Sequence, residues 1–174
     1  MIYKYILAVD PSGSYNEGKG TTGWCLLGAQ TKNIIKFGSI NAKDYPTQQH
    51  YWDAHLSLIN ELPEQCAGSV KVVLEDYLLY ANKAVQQTNS RMETSQLLGI
   101  LKHHVQSKDL PCLIQTASEV KSRWADRILL HKGIIKQKGN IYIHPITKEI
   151  LNRHVRDAVR HAVHVAMFKN KGER

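Results

Sequence analysis

One short stretch decides the fold of this chain: Tyr5-Ile6-Leu7-Ala8-Val9-Asp10-Pro11-Ser12. An apolar run of this length is typical of a buried strand, and it ends abruptly in a carboxylate followed by a loop containing Pro and Gly. Taken alone, Asp10 fits either a simple Asp-Pro turn or a functional site at the end of the strand. The choice depends on which other polar side chains the chain brings to the same place.

Composition limits the class of protein. With 174 residues, of which 43% are hydrophobic and 22% charged, the sequence predicts a single domain spanning residues 1–174. The formal net charge is +8, and a surplus of Lys and Arg is typical of proteins that bind a polyanion, either nucleic acid or an anionic membrane surface. No apolar run reaches the roughly 18 residues of a membrane span, and the N-terminus lacks a signal-peptide pattern. A cytoplasmic protein that does not associate with membranes is therefore expected.

The three cysteines, Cys25, Cys66 and Cys112, are widely spaced. None belongs to a CxxC pair or to a Cys/His spacing typical of zinc, so a structural zinc site is not expected. Cys25 and Cys112 lie in apolar runs, which predicts that both thiols are buried.

The first half of the chain predicts four strands, at residues 2–10, 21–28, 32–40 and 70–75. The first three are joined by short connections and must pair antiparallel, as a meander. Residues 46–62 change to helical periodicity, with Asp44 or Thr47 as the candidate N-cap. The fourth strand follows this helix, so a crossover should place it parallel to the first. It also ends in a carboxylate, Glu75.

The second half predicts a helix, a strand, a helix, a small hairpin and a last helix, at residues 90–107, 111–114, 117–131, 132–148 and 152–169. The complete order is βββαβαβαα. Such an order is typical of an α/β protein with a mixed five-stranded sheet flanked by helices.

The last helix carries a polar stripe beside its apolar face. Its members recur at offsets of three, four and three residues and therefore share one side of the helix: His154, Asp157, His161 and His164. The stripe should run along the edge of the buried surface, where it can overlook a cleft. For His161 and His164, a solvated or capping role is an open alternative.

Asp10, Glu75 and Asp157 predict a cation site if the fold brings them together. Clustered carboxylates repel one another and are costly without a cation between them. Hard oxygen ligands suit Mg²⁺ or Mn²⁺ better than zinc. Two such ions in one site can activate a water and stabilise the leaving oxygen in phosphodiester hydrolysis. A basic chain with this acid cluster therefore indicates a nuclease.

These residues carry a resemblance to the RuvC-type Holliday junction resolvases of the RNase H-like superfamily. The similar segments are Ile6-Leu7-Ala8-Val9-Asp10-Pro11-Ser12 with Thr21-Thr22-Gly23-Trp24, then Val72-Val73-Leu74-Glu75, and then His154-Val155-Arg156-Asp157-Ala158. The resemblance covers nearly the whole chain and implies an RNase H-like fold. It also implies a dimeric, Mg²⁺-dependent endonuclease that nicks symmetrically related strands of a four-way DNA junction, with two ions per site and Mn²⁺ able to substitute.

By position, the resemblance implies roles for particular residues. Metal-binding catalytic residues would be Asp10, Glu75, His154 and Asp157. Lys121 resembles the family's basic residue near the scissile phosphate, although a solvated helix lysine is an alternative. Further DNA contacts would come from Leu78, Leu79, Tyr80 and Lys83. Core packing is an alternative for at least one of the first three of these.

Some segments depart from the bacterial pattern. The loop at residues 11–20 and the stretch 75–99 are longer than is typical, which suits the phage-encoded branch of the family and a location in the host cytoplasm. Other readings are an RNase H-like nuclease acting on RNA–DNA hybrids or flap DNA, and a non-catalytic nucleic-acid-binding module. The helix at residues 90–107 is the expected homodimer interface, on its length and apolar stripe.

Overall fold

The molecule is built on a five-stranded mixed sheet. The computed structural model describes residues 3–16, 18–76 and 92–170. The strands are β1 (Tyr5–Asp10), β2 (Thr21–Gly28), β3 (Ile34–Asn41), β4 (Val70–Asp76) and β5 (Cys112–Thr116). Their order in the sheet is β3-β2-β1-β4-β5. The first three strands pair antiparallel, whereas β4 lies parallel to both β1 and β5. The predicted meander, the crossover and the α/β class are confirmed.

Helices cover both faces of this sheet. The described helices are α1 (Gln48–Gln65), α2 (Glu93–Ser107), α3 (Ala117–Val120), α4 (Asp126–His131) and α5 (Arg153–His164). A 3₁₀ turn, Ala42–Asp44, precedes α1, and a π-helical turn, Val165–Lys169, continues α5. Strands β6 (Lys136–Lys138) and β7 (Ile141–Ile143) form the expected hairpin, separate from the main sheet.

The central strand β1 is buried on both faces, which explains its unbroken apolar run. Ile6 and Ala8 belong to the core cluster that contains the inner face of α5. Leu7 and Val9 belong to the cluster that contains α1 and α2. From Ile6 to Val9, the central strand therefore has no solvent-facing side.

The first helix begins one residue after its cap. Thr47 Oγ1 accepts a hydrogen bond from the backbone N–H of His50, so Thr47, rather than Asp44, is the N-cap. The helix runs to Gln65, past the predicted end at residue 62. Pro63 lies in its last turn, where the missing N–H costs one hydrogen bond without preventing the final turn.

The prediction of a single helix at residues 117–131 is wrong. The structure has two short helices, α3 and α4, separated by turns at residues 121–125. Ala125 is extended in its backbone ψ, which ends the helical path. The break places Trp124 in the core, while Asp126 forms ion pairs with Arg156 and Arg160 of α5. Tertiary contacts with α5 therefore override the local helical pattern.

Two smaller features complete the fold. Cys25 is buried as expected, but Cys112 is exposed because it begins the edge strand β5. Among the described helices, none is both long and apolar enough to cross a membrane.

Candidate active site

Two predicted acids meet at one edge of the sheet. Strands β1 and β4 are parallel neighbours, with Val9 opposite Leu74. Asp10 and Glu75 each follow one residue later, so both carboxylates emerge from the same end of adjacent strands. Their side chains are only 14% and 11% exposed, respectively.

Helix α5 brings His154 and Asp157 to the same edge. The helix begins after Asn152, whose side chain accepts a hydrogen bond from the Val155 N–H. Its first turn lies directly on β2 at Gly23, the residue paired with Asp10, where a Cβ atom would overlap the His154 backbone. This close approach lets His154 Nδ1 lie 3.1 Å from Asp10 Oδ2.

Lys121 connects the remaining two acids. It lies in the turn between α3 and α4, and its Nζ is 3.1 Å from Glu75 Oε1 and 3.3 Å from Asp157 Oδ2. The solvated-helix alternative for Lys121 is therefore wrong. The structure brings together five residues predicted for the site: Asp10, Glu75, Lys121, His154 and Asp157.

The charges of these groups perturb one another. Burial raises the pKa of Asp10, and the negative charges of Glu75 and Asp157 raise it further, against the opposing effect of His154. Burial also acts to raise the pKa of Glu75, but His161 and Lys121 outweigh it, so that pKa lies below its ordinary value. The raised pKa of Asp10 therefore reflects its burial first and the neighbouring negative charges second.

The two basic groups respond in the opposite sense. The hydrogen bond with Asp10 raises the pKa of His154, against the effect of burial. Burial acts to lower the pKa of Lys121, but the charges of Glu75 and Asp157 outweigh it and leave that pKa raised. Lys121 is therefore firmly protonated at neutral pH.

Two solved structures share this architecture over nearly the whole chain. T. thermophilus RuvC in complex with a Holliday junction substrate matches with a TM-score of 0.67 and 12% sequence identity, covering 96% of this chain and 95% of that one. A structure of Thermus thermophilus RuvC matches with a TM-score of 0.61 and 13% identity, covering 95% of each chain. No protein-family model and no curated protein matches the sequence. The chain has the RuvC fold.

The acids on this RuvC fold fit a divalent cation in their donor chemistry. Asp10, Glu75 and Asp157 offer hard carboxylate oxygens of the kind that Mg²⁺ and Mn²⁺ prefer. A cation would also compensate the negative charge that raises the pKa of Asp10. Among the described residues, no three Asp, Glu, His or Cys side chains already stand in a closed ligand arrangement. Instead, the Lys121 ammonium lies between Glu75 and Asp157 and balances their charge.

Two buried residues behind the acids were missed as parts of the site. His161 is fully buried, with Nε2 2.9 Å from Glu75 Oε2 and Nδ1 2.8 Å from Gln115 Oε1. Gln115 is opposite Glu75 in the β4–β5 pairing. The sequence signal for His161 was its place on the polar stripe of the last helix, seven residues after His154, while Gln115 carried none.

Arg160 supports Asp157 from the other side. Its guanidinium contacts Asp157 Oδ1, and it lies 2.5 Å from Asp126 Oδ1 and 3.0 Å from the Trp124 carbonyl. A planar guanidinium with several partners fixes the orientation of a carboxylate. Asp157 is therefore held between Arg160 and Lys121.

The loop after Asp10 is anchored by a buried hydrogen-bond network. The Ser12 N–H donates to Thr22 Oγ1 over 2.9 Å, and the Tyr51 hydroxyl donates to the Ser12 carbonyl over 2.5 Å. His55 Nδ1 lies 2.7 Å from the Tyr51 carbonyl and must donate to it, so Nε2, 2.7 Å from Thr22 Oγ1, accepts. This network fixes the turn that follows Asp10.

The remaining predictions from the sequence concern two histidines of α5 and four expected DNA contacts. The solvated readings of His161 and His164 are wrong, because both side chains are buried, and His164 Nδ1 accepts from Trp124 Nε1 over 3.3 Å. The predicted DNA contacts Leu78, Leu79, Tyr80 and Lys83 lie outside the residues that the structure describes.

Proposed function

We propose that this protein is a Mg²⁺-dependent endonuclease that hydrolyses phosphodiester bonds in branched DNA, with the four-way junction as its substrate. The observation that carries the proposal is the meeting of Asp10, Glu75 and Asp157 with Lys121 at one sheet edge. Support comes from the shared fold with a RuvC solved with a Holliday junction substrate. The net charge of +8 suits a polyanionic substrate.

The acids would hold the cation. Asp10, Glu75 and Asp157 supply oxygen ligands, with His154 as a further ligand or a base. Bound Mg²⁺, with Mn²⁺ as a substitute and two ions per site, supplies Lewis-acid stabilisation and lowers the pKa of a bound water. Glu75 and Asp157 are positioned for this task by the hydrogen bonds from His161 and Arg160.

Lys121 would serve the phosphate. Its ammonium stays charged because Glu75 and Asp157 raise its pKa. With a cation held by those carboxylates, Lys121 would be free to bind a non-bridging phosphate oxygen. An ammonium at that position stabilises the charge that develops in the transition state.

His154 would either bind the cation or act as a base, in both cases through Nε2. Its Nδ1–H donates to Asp10, so Nε2 of the neutral ring is the atom that would bind the cation or accept a proton from the attacking water. The His154→Asp variant separates these roles. A retained rate favours ligation, and a lost rate favours base catalysis.

Symmetric resolution of a junction requires two active sites, and hence a homodimer. The apolar stripe of α2 gives no support for an interface there, because Leu97, Leu98, Leu101 and Val105 pack inside the chain's own core. The dimer therefore rests on the chemistry of paired cleavage. Membership of the phage-encoded branch and a cytoplasmic location likewise remain proposals from the sequence.

Single-turnover cleavage of a synthetic four-way junction with Mg²⁺ tests the proposal. Asp10→Asn and Glu75→Gln should each lose at least about a thousandfold in rate while binding the junction. Glu61→Gln, on the exposed side of α1, is the matched control and should cleave normally. Cleavage that survives in both site variants would refute the assignment. Preferential cleavage of RNA–DNA hybrid or flap DNA would favour the alternative nuclease, and no metal-dependent cleavage would favour the binding module.

A further inference from the structure

The β6–β7 hairpin and the loop after it form a basic and apolar surface outside the active site. Lys136 pairs with Ile143 and Lys138 with Ile141, and directly opposed residues of a hairpin project from the same face. An isolated bridge between Ile143 and Ile150 adds the following loop to this face. The result is a concave surface of about 570 Å³, here called the hairpin surface, lined by Lys136, Gln137, Lys138, Ile141, Ile143, Lys148 and Ile150.

The lysines of the hairpin surface form no ion pair with any residue that the structure describes. Within the described part of the chain, Lys136 and Lys138 have no carboxylate partner, and the Lys148 ammonium donates only to the Pro145 carbonyl. The neighbouring acid, Glu149, accepts a hydrogen bond from the Thr147 hydroxyl. Exposed, uncompensated ammonium groups on one face suit a ligand with regularly spaced negative charges.

Apolar side chains stand among these lysines. Ile141 is 42% exposed and Ile150 is 62% exposed, and Ile146 in the same loop is 76% exposed. Exposed large aliphatic side chains that cluster indicate a contact surface. A two-stranded ribbon fits the major groove of DNA, where apolar side chains can meet sugars and base edges.

The hairpin surface is joined to the active site through α5. The Leu151 N–H donates to the Tyr142 carbonyl, and the Arg156 guanidinium lies 4.3 Å from the centre of the Tyr142 ring. Arg156 also binds Asp126, which contacts Arg160, the partner of Asp157. The hairpin is thus held at the helical turns that carry His154 and Asp157.

We propose that the hairpin surface binds the backbone of a duplex DNA arm that leaves the active site, with its lysines on phosphates and its isoleucines against the groove wall. The proposal rests on the proposed function, because it takes DNA to be the substrate. It adds a second contact region, separate from the acids, that orients one arm of the branched substrate. Charge complementarity favours DNA over a protein partner as the occupant.

Binding measurements on a cleavage-deficient background test the proposal. Fluorescence anisotropy with a labelled four-way junction would be recorded for Asp10→Asn protein between 50 and 200 mM salt. Adding Lys136→Gln and Lys138→Gln should make the slope of log K against log salt shallower by about 1.8, since each lost phosphate contact changes it by about 0.9. Adding Ile141→Ser and Ile150→Ser should weaken binding severalfold and leave the slope unchanged.

A matched control removes two lysines from the end of the sheet that lies opposite the acids. Lys71 lies near the start of β4, and Lys108 caps the end of α2. Replacing both with Gln should leave the salt slope close to that of the parent. If the hairpin lysine variant behaves like this control, the proposal is overturned while the proposed function stands, and a protein becomes the better occupant. If Asp10→Asn protein binds no branched DNA at all, both proposals fail.

Discussion

At the scale of single residues, the most constrained group is the Glu75 carboxylate. One of its oxygens faces Lys121, and the other faces the buried His161. Oxygen Oε1 of Gln115 faces the second ring nitrogen, while Gln115 Nε2 has no partner within the described residues. Either the imidazole is doubly protonated, or a rotated amide donates to Nδ1. In both arrangements His161 Nε2–H donates to Glu75 and fixes its orientation.

Replacing His161 tests whether it positions Glu75. His161→Leu removes the donor and leaves a buried carboxylate oxygen unpaired, so we expect a loss of about 1–3 kcal/mol in stability and of roughly a hundredfold in kcat. His161→Gln keeps an N–H donor and should recover most of the rate. Junction affinity measured without metal should be unchanged in both variants. Equal rates for the Leu and Gln variants, with both folded, would contradict a positioning role.

The buried side chain of His55 should make the stability of the protein depend on pH. Burial lowers its pKa from 6.5 to about 4, although the hydrogen bond to the Tyr51 carbonyl opposes this. The His55 imidazole therefore remains neutral in the folded state, whereas in the unfolded chain it takes up a proton as the pH falls between these two pKa values. Stability should consequently fall as the pH decreases through this window, by about 2 kcal/mol between pH 7 and pH 5.

Urea unfolding at pH 7 and pH 5 measures this effect. His55→Gln should be less stable than the wild type at pH 7, because it disturbs the network around Ser12, but its stability should depend less on pH. The contribution of the other histidines is common to both proteins and cancels in the comparison. An identical loss of stability on acidification in both proteins would show that His55 is not the titrating group.

At the scale of elements, the site depends on how closely α5 approaches the sheet. Gly23 lies opposite Asp10 on β2, and its missing Cβ provides the space for the His154 backbone. A glycine at such a contact is required by steric fit rather than by backbone conformation. The Thr21-Thr22-Gly23-Trp24 segment therefore sets the distance between the strand that carries Asp10 and the helix that carries Asp157.

Gly23→Ala should separate these elements. The new methyl group would overlap the backbone of α5, so we expect roughly 3 kcal/mol or more of lost stability and a loss of cleavage. The control is Gly99→Ala on α2, where an added Cβ meets no atom within 4 Å. That change should be neutral or stabilise by about 0.5–1 kcal/mol, because Ala favours helix. A Gly23→Ala protein as stable as Gly99→Ala would refute the close-packing account.

Most helices and strands could be predicted because the hydrophobic patterns that specify them are local in the sequence. The run ending at Asp10 and the run ending at Glu75 each predict a buried strand, and the intervening helix predicts that they are parallel. The split of residues 117–131 could not be predicted, because it depends on ion pairs between Asp126 and α5 that are distant in sequence. Likewise, Gln115 joins the site only through its pairing opposite Glu75.

At the scale of the whole molecule, the distribution of charged side chains suits the binding of DNA at the candidate active site. Three acids meet at the sheet edge of this basic chain, whose formal net charge is +8. The lysines of the hairpin surface have no carboxylate partner among the described residues. The excess positive charge of the chain would attract a substrate with a phosphate backbone. Cleavage would take place at Asp10, Glu75 and Asp157. Binding should therefore weaken steeply as salt rises, whatever the DNA sequence.

The most direct test of the proposed function is a map of the nicks in a synthetic four-way junction. Each of the four strands would be end-labelled in turn, and the products would be sized on a denaturing gel after reaction with Mg²⁺. We expect two nicks at symmetrically related positions in opposing strands, present with wild-type protein and absent with Asp10→Asn. Nicks that persist in Asp10→Asn, or an intact junction beside cleaved RNA–DNA hybrid, would contradict the proposed function.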